Sequence, residues 1–297
     1  MSPPPPGVIE AFGLKGTPAP LPGGRNLCYL LDGIVFKPSD YDDDEVQWVS
    51  ELATTLLRHR PTAYRLASPI STVSGSGQFV FEGWTASTFV SGSPIPSCQR
   101  KVSISRSFHA DLARFVTERP ELVSKKRNRF NEADRVTWGQ KALEDVELVN
   151  AKMLAHFQPL LDKLSSVQRP LPGKVPFQLI HGDLAGNILF DEGVPPAIID
   201  LTFYWRPAEY ANAILVADGL AWAGEGRELL EWFGTDELRL QLLVRALYWR
   251  IITFAIDTDI AWVEVNLPKM DYAGAVEIVC SFLDPSVVAA DTEIPSR

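Results

Sequence analysis

Apolar residues in the first third of the chain fall in short, strand-like runs, whereas those in the remainder recur mostly at helical spacing. The runs at 28–31 and 34–36 flank Asp32-Gly33. An Asp-Gly pair between two apolar runs is a strong hairpin signal, because both positions accept the positive φ of a tight turn. Downstream, Ser39 or Asp40 is placed to cap a helix whose first turn carries Asp42, Asp43, Asp44 and Glu45. Carboxylates suit that end, where the helix dipole is positive. Val46, Trp48, Val49, Leu52 and Leu56 then follow at helical spacing. The stretch FVFEGWTASTFVSG predicts a further strand pair, and the Ser/Pro-rich segment 91–97 reads as a connection between two lobes.

Beyond that connection the pattern is mainly helical. SISRSFHADLARFVTER is amphipathic, with Phe108, Leu112 and Phe115 on one face, and residues 133–164 carry one or two helices. Helical periodicity returns at 208–223, 226–232, 236–255 and 272–282. Two short strands interrupt it, one in QLIHGDLAGNILF and one in PPAIIDL. The pattern predicts an α+β chain with a small β-rich N-terminal lobe at 21–92 and a larger helical C-terminal lobe at 93–285. It also predicts a disordered or polyproline leader over 1–20, from the run PPPP, and a frayed tail at 286–297.

Composition narrows the class. The chain has 297 residues, 46% of them hydrophobic, enough for a sizeable core. A formal net charge of -9 argues against nucleic-acid binding by general electrostatics. Three cysteines, Cys28, Cys98 and Cys280, lie far apart with no C-x-x-C pair, which points to reduced thiols, a cytoplasmic location and no zinc site. No apolar run reaches about 18 residues, so no membrane-spanning helix is expected.

The chemistry concentrates in QLIHGDLAGNILF and the strand after it. Read as one hairpin, the two strands bring Asp183, Asn187 and Asp200 to a common end. Two carboxylates and an amide form a hard oxygen cluster suited to Mg2+, which shares its shell with phosphate oxygens and water. A carboxylate left off the metal can orient a hydroxyl and accept its proton. Upstream, Gly23 and Gly24 permit a tight turn with backbone N–H groups facing a phosphate. Lys37 stands alone at the end of an apolar run, and Glu45 on the next helix is placed to pair with it; Glu51 is the alternative. The bland readings are a polar hairpin turn for the three oxygen donors, a snorkelling strand-end lysine for Lys37 and an ordinary turn for the glycines. YDDDE reads as a solvated helix start, SKKRNRF as a solvated loop, and Trp205, Trp222, Trp249 and Trp262 mainly as core.

This order of parts resembles the protein-kinase-like superfamily: glycine turn, strand with lysine, helix with glutamate, connection, H-G-D-x(n)-N, then I-I-D. The H-G-D form is similar to that of the aminoglycoside phosphotransferase family and its small-molecule kinase relatives. HGDLAGNILF followed by IID is the specific part, and the likeness runs roughly from Leu21 to Asp259. It implies a bilobal protein-kinase-like fold and transfer of a phosphoryl group from ATP or GTP to the hydroxyl of a small molecule. Asp183 is then the catalytic base or hydroxyl-orienting residue, and Asn187 and Asp200 hold magnesium. Lys37 contacts the nucleotide phosphates and pairs with the helix glutamate, and the backbone of Phe89, Val90 and Ser91 is the hinge against the base. His181 is structural, and Tyr204, Trp205 and Arg206 lie toward the acceptor side. Three residues separate Asp183 from Asn187 where the family has four, with Gly186 expected to give the shortened loop its freedom. That shortening is the best support for the rival reading, a nucleotide-binding pseudokinase or interaction protein.

Overall fold

The computed structural model describes residues 2–22, 27–39, 42–125, 128–147 and 150–283. Gly23, Gly24, Asp40, part of the basic run after Ser124 and the tail at 286–297 lie outside them. The elements follow in the order α1 (Pro6–Ala11), β1 (Ala19–Leu21), β2 (Cys28–Leu31), β3 (Ile34–Pro38), α2 (Asp43–Arg58), β4 (Arg65–Leu66), β5 (Val80–Phe81), β6 (Trp84–Thr88) and α3 (Cys98–Phe115). Then come α4 (Glu121–Lys125), α5 (Arg129–Thr137), α6 (Ala151–Val167), β7 (Gln178–His181), β8 (Ile188–Leu189), β9 (Ala197–Ile198) and β10 (Phe203–Arg206). Four of the five remaining labelled helices match the helical periodicities: α7 (Ala208–Trp222), α8 (Arg227–Phe233), α9 (Glu237–Ala255) and α11 (Tyr272–Ser281), whereas α10 (Ile260–Asn266) had no such signal.

The chain divides into two compact units. One comprises residues 1–95, 110–112 and 186–202, the other 96–109, 113–185 and 203–297. The first therefore begins at the N-terminus and reclaims the stretch carrying Asn187 and Asp200, which the sequence pattern had assigned to the helical lobe. Strand pairing is the cause: β9 adds in parallel to β4, with Arg65 opposite Ala197 and Leu66 opposite Ile198.

The first unit is built on an antiparallel five-stranded sheet in the order β1-β2-β3-β6-β5. The turn read at Asp32-Gly33 behaves as expected, with φ of 49° and 76°, and Glu82 and Gly83, not singled out in the sequence, have 48° and 72°. Two positive φ values in succession make the primed turn whose twist matches that of the flanking strands. Of the two caps expected for helix α2, Ser39 does not serve and Asp40 lies outside the described residues. The Asp42 side chain accepts from the Glu45 N–H at 2.8 Å, so the cap sits one turn-length before the first glutamate.

The proline-rich leader is ordered, contrary to the sequence expectation. Its prolines precede and start α1, with Pro6 at the first helical position, where the missing N–H costs nothing. Val8, Ile9 and Phe12 are buried with Tyr29, Phe36, Trp84 and Ala86. Phe12 meets Phe36 edge-to-face, with ring centroids 5.9 Å apart. Composition alone suggested disorder; three apolar side chains at i, i+1 and i+4 supplied the burial that overrides it.

In the second unit, α7 is buried on every side from Tyr210 to Ala221, as expected for a helix apolar all round. It packs beside α9, which is buried along most of its length. Strand β7 pairs with β10, not with the strand that follows it, and β8 pairs with β9. The single hairpin expected from the sequence is thus two nested pairings, one in each unit.

If the leader helix belongs to the core, Phe12→Ala should lower unfolding stability by about 3–5 kcal/mol, the usual cost of truncating a buried phenylalanine. Urea denaturation measures it, and a loss below about 1 kcal/mol, typical of surface changes, would place the leader outside the core.

Candidate active site

Lys37 and Asp200 lie 163 residues apart in sequence, and the structure joins them. The Lys37 Nζ donates to Asp200 Oδ1 at 2.5 Å. Their side chains are 30% and 44% exposed, and an ion pair in that setting contributes only about 0–1 kcal/mol. Stability is therefore a weak reason for the pair. Asp200 also has φ of 54°, the left-handed region that aspartate tolerates better than most residues but still at a cost. Sparsely populated backbone of this kind clusters at ligand sites, where a side chain must be aimed.

Asn187 sits at the same end of the β8–β9 ladder. Ile188 pairs with Ile198, and the Ile199 N–H donates to the Asn187 carbonyl at 3.0 Å, so Asp200 follows one residue beyond the last pairing. Among the described residues no three His, Cys, Asp or Glu side chains gather as a metal cage. One carboxylate and one amide fit magnesium held jointly with phosphate oxygens and water, which is that ion's usual arrangement. Gly186 has neither a positive φ nor a neighbour within 4 Å of a Cβ placed on it, so the short loop does not draw on glycine's freedom there.

The other residues expected on the nucleotide side are placed as follows. The Phe89 N–H donates to the Gly33 carbonyl at 2.7 Å. The Ser91 carbonyl accepts from Arg65 Nη2 at 3.0 Å, and its hydroxyl donates to Asp191. Among the described hydrogen bonds, Val90 is the hinge residue whose backbone they leave unengaged. Glu45 is buried at 5% exposure, whereas Glu51 is exposed and accepts from Gln47 Nε2 at 2.7 Å.

Asp183 belongs to the second unit, just past the end of β7, and is 41% exposed rather than buried. Its Oδ1 accepts from Arg250 Nη2 at 3.0 Å. Arg250, in α9, is 8% exposed and makes a fork to Asp218 of α7, with Nε to Oδ1 at 2.8 Å and Nη2 to Oδ2 at 2.5 Å. Burial works against the charge on Arg250, but Asp218 and Asp183 outweigh it and hold the guanidinium protonated beyond its ordinary range. Burial likewise pushes Asp218 upward against the pull of Arg250. Neither Arg250 nor Asp218 was picked out from the sequence. The signal was present: a lone aspartate inside an apolar helix and an arginine inside another each require a partner of opposite sign.

The backbone of the Asp183 loop is held by two buried histidines. His109 Nδ1 donates to the Ser105 carbonyl at 2.7 Å, which leaves Nε2 to accept from the His181 N–H at 2.9 Å. His181 Nδ1 in turn accepts from the Asp183 N–H at 3.1 Å. Gly182, between them, is required sterically: a Cβ there would lie 2.5 Å from the Tyr204 ring. Of the tryptophans read as core, Trp249 is buried, but Trp222 is 36% exposed.

No protein-family model matches the chain, and no curated protein matches it in sequence. Solved structures do match in fold. The spectinomycin phosphotransferase APH(9)-Ia, in complex with ADP and spectinomycin, superposes with a TM-score of 0.59 at 15% identity, covering 93% of this chain and 97% of that one. A thermostable mutant of the aminoglycoside phosphotransferase APH(4)-Ia gives 0.50 at 14% identity, covering 96% and 98%. Choline kinase LicA from Streptococcus pneumoniae gives 0.49 at 15% identity, covering 89% and 93%. The chain therefore has the α+β, protein-kinase-like fold of the aminoglycoside phosphotransferases.

Burial holds the His109 pKa down at about 3. The unfolded chain, with an ordinary histidine near 6.5, then binds more protons between those values, so stability is full above about pH 6.5 and declines as pH falls toward 3. His109→Gln should remove about one proton from this linkage, flattening the loss by up to about 1.4 kcal/mol per pH unit. Urea unfolding from pH 7 to 4 reads it; parallel profiles for parent and variant would mean that His109 is not buried in its neutral form.

Proposed function

We propose that the protein is a phosphotransferase that moves the γ-phosphoryl group of ATP or GTP onto a hydroxyl of a small molecule. The observation that carries this reading is the Lys37–Asp200 pair: two half-exposed charges brought together from distant parts of the chain, with Asp200 in strained backbone. Lys37 contacts the nucleotide phosphates. Asp200 and Asn187 would hold magnesium, which when bound offsets the negative charge of the phosphate oxygens. The backbone around Val90 receives the base, and Glu45, the buried one of the two candidate glutamates, supports Lys37. Gly23 and Gly24 are assigned to phosphate contact from the sequence alone.

Asp183 orients the acceptor hydroxyl and takes its proton as the acceptor oxygen bonds to the γ-phosphorus. The bond from that phosphorus to the bridging oxygen breaks, and the nucleoside diphosphate leaves. Arg250 fixes the direction of the Asp183 carboxylate, and the histidine chain fixes its backbone. Phosphoryl transfer needs mainly positioning and charge neutralisation, which these groups supply. The neighbour bound to ADP and spectinomycin supports a nucleotide co-substrate and a small-molecule acceptor, although the acceptor here is not thereby an antibiotic. Among the described residues no helix is long and apolar enough to cross a membrane, and we place the protein in the cytoplasm on its sparse cysteines.

Two variants separate the roles. Asp200→Asn should weaken magnesium-nucleotide binding in calorimetry. Asp183→Asn should bind nucleotide normally, while turnover with a screened acceptor falls about 10²–10⁴-fold, the usual loss of a general base. Full turnover by Asp183→Asn would remove it from the chemistry. A parent that binds magnesium-ATP but transfers phosphate to no acceptor would favour a nucleotide-binding protein without turnover.

A further inference from the structure

Among the described residues the Arg250 guanidinium makes three hydrogen bonds, and two of them go to Asp218, which has no part in the phosphoryl transfer as derived so far. Nε and Nη2 fork onto the two carboxylate oxygens of Asp218, and Nη2 also donates to Asp183 Oδ1. The guanidinium is held in place on its face as well. Its carbon lies 4.7 Å from the ring centroid of Trp249, which is 1% exposed and anchored by its own Nε1 on the Phe130 carbonyl at 3.0 Å. All of these groups belong to the second unit.

Asp218 is therefore placed to decide how much of the Arg250 charge reaches Asp183. An arginine facing a single carboxylate favours its ionised form and makes it a poorer proton acceptor. Here the fork, the stronger arrangement, goes to Asp218, and Asp183 receives one bond. The charges of Asp218 and Asp183 also repel each other directly. The other groups at this place do not duplicate the role. Tyr272 of α11 accepts from Trp222 Nε1 at 3.1 Å, and burial raises its hydroxyl, so it stays neutral. Burial likewise pushes the Cys98 thiol, near Asp218, up to about 12. Lys101 of α3 bears on Asp218 through space. His181 Nδ1 takes the Asp183 N–H, which restrains the main chain and not the carboxylate.

We propose that Asp218 is a positioning residue for Asp183: it takes the fork of Arg250 and leaves Asp183 a single hydrogen bond, so that Arg250 directs the Asp183 carboxylate without suppressing it as a proton acceptor. The use made of Asp183 rests on the phosphotransferase reading, whereas the control of its carboxylate rests on the geometry alone.

NMR of the full chain, isotope-labelled at the aspartate carboxyls and with the Asp183 signal assigned by its loss in Asp183→Asn, tests that control without any acceptor. Asp218→Asn keeps the shape of the fork partner and removes its charge. The guanidinium then bears on Asp183 alone, whose titration midpoint should fall by about one unit, the low end for a carboxylate beside an arginine. Arg250→Lys keeps a buried cation for Asp218 but lacks the fork geometry to serve both carboxylates, so the midpoint should rise. A merely structural role would not move it in opposite directions. Where a variant fails to fold in urea unfolding, nitrogen spectra of the parent decide: the Arg250 Nη2 signal should follow the Asp183 titration, and Nε should not. An unmoved midpoint in a folded variant, a shift of the same sign in both, or an Nη2 signal indifferent to Asp183 overturns the proposal. With a screened acceptor, Asp218→Asn should also move the acidic limb of kcat to lower pH and leave the KM for nucleotide unchanged. A parent without turnover defeats the phosphotransferase reading and leaves the NMR result to decide the control of Asp183. An active parent with an unshifted limb in Asp218→Asn overturns the positioning role and leaves that reading intact.

Discussion

A guanidinium enclosed in an apolar helical layer constrains the helical unit of this protein. Removing one ion from water costs several kcal/mol, and Arg250 meets that cost with two parallel hydrogen bonds to Asp218. Asp218 lies in a helix buried on every side, so it is tolerable only because α9 delivers a cation to it. The pair thereby fixes the register of α7 against α9. What remains of the guanidinium's reach falls on Asp183, which stands at a strand end with its backbone tied through His181 and His109. The Asp183 side chain is thus restrained from two directions, one electrostatic and one through the main chain. Such restraint is what lets a carboxylate act on a hydroxyl without reorganising first.

The Lys37–Asp200 pair is held differently. Lys37 and Asp200 are accessible and contribute little to stability by pairing. Asp200 adopts a conformation that costs energy, and Asn187 ends the same two-stranded ladder. Weak pairing and strain are what the proposed nucleotide site would show before its partners arrive from solution.

Much of this was legible along the chain, for reasons that can be named. Asp32-Gly33 and Glu82-Gly83 encode their turns locally, through the φ values their positions demand. The helices α9 and α11 announce themselves by period, and α7 by an apolar run too long for an ordinary strand. The stretch HGDLAGNILF with IID carries the chemistry in a short span, so its residue types could be read without coordinates. The readings that failed relied on composition or on nearness in sequence. The proline leader was taken for disorder, yet Val8, Ile9 and Phe12 find a hydrophobic floor under the sheet. The strand QLIH was paired with the strand after it, whereas its partner is β10, further along.

The sequence by itself determined the period of each element, the tight turns, the fold class and the identity of the reactive side chains, because these depend on local sterics and on the residues' own functional groups. Tertiary structure alone decided who meets whom. It brought Lys37 to Asp200 across 163 residues, set Arg250 between Asp218 and Asp183, and gathered three arginines around Asp134. Such pairings are chosen by the cost of leaving a charge buried without a partner, and that cost is settled only when distant segments pack together.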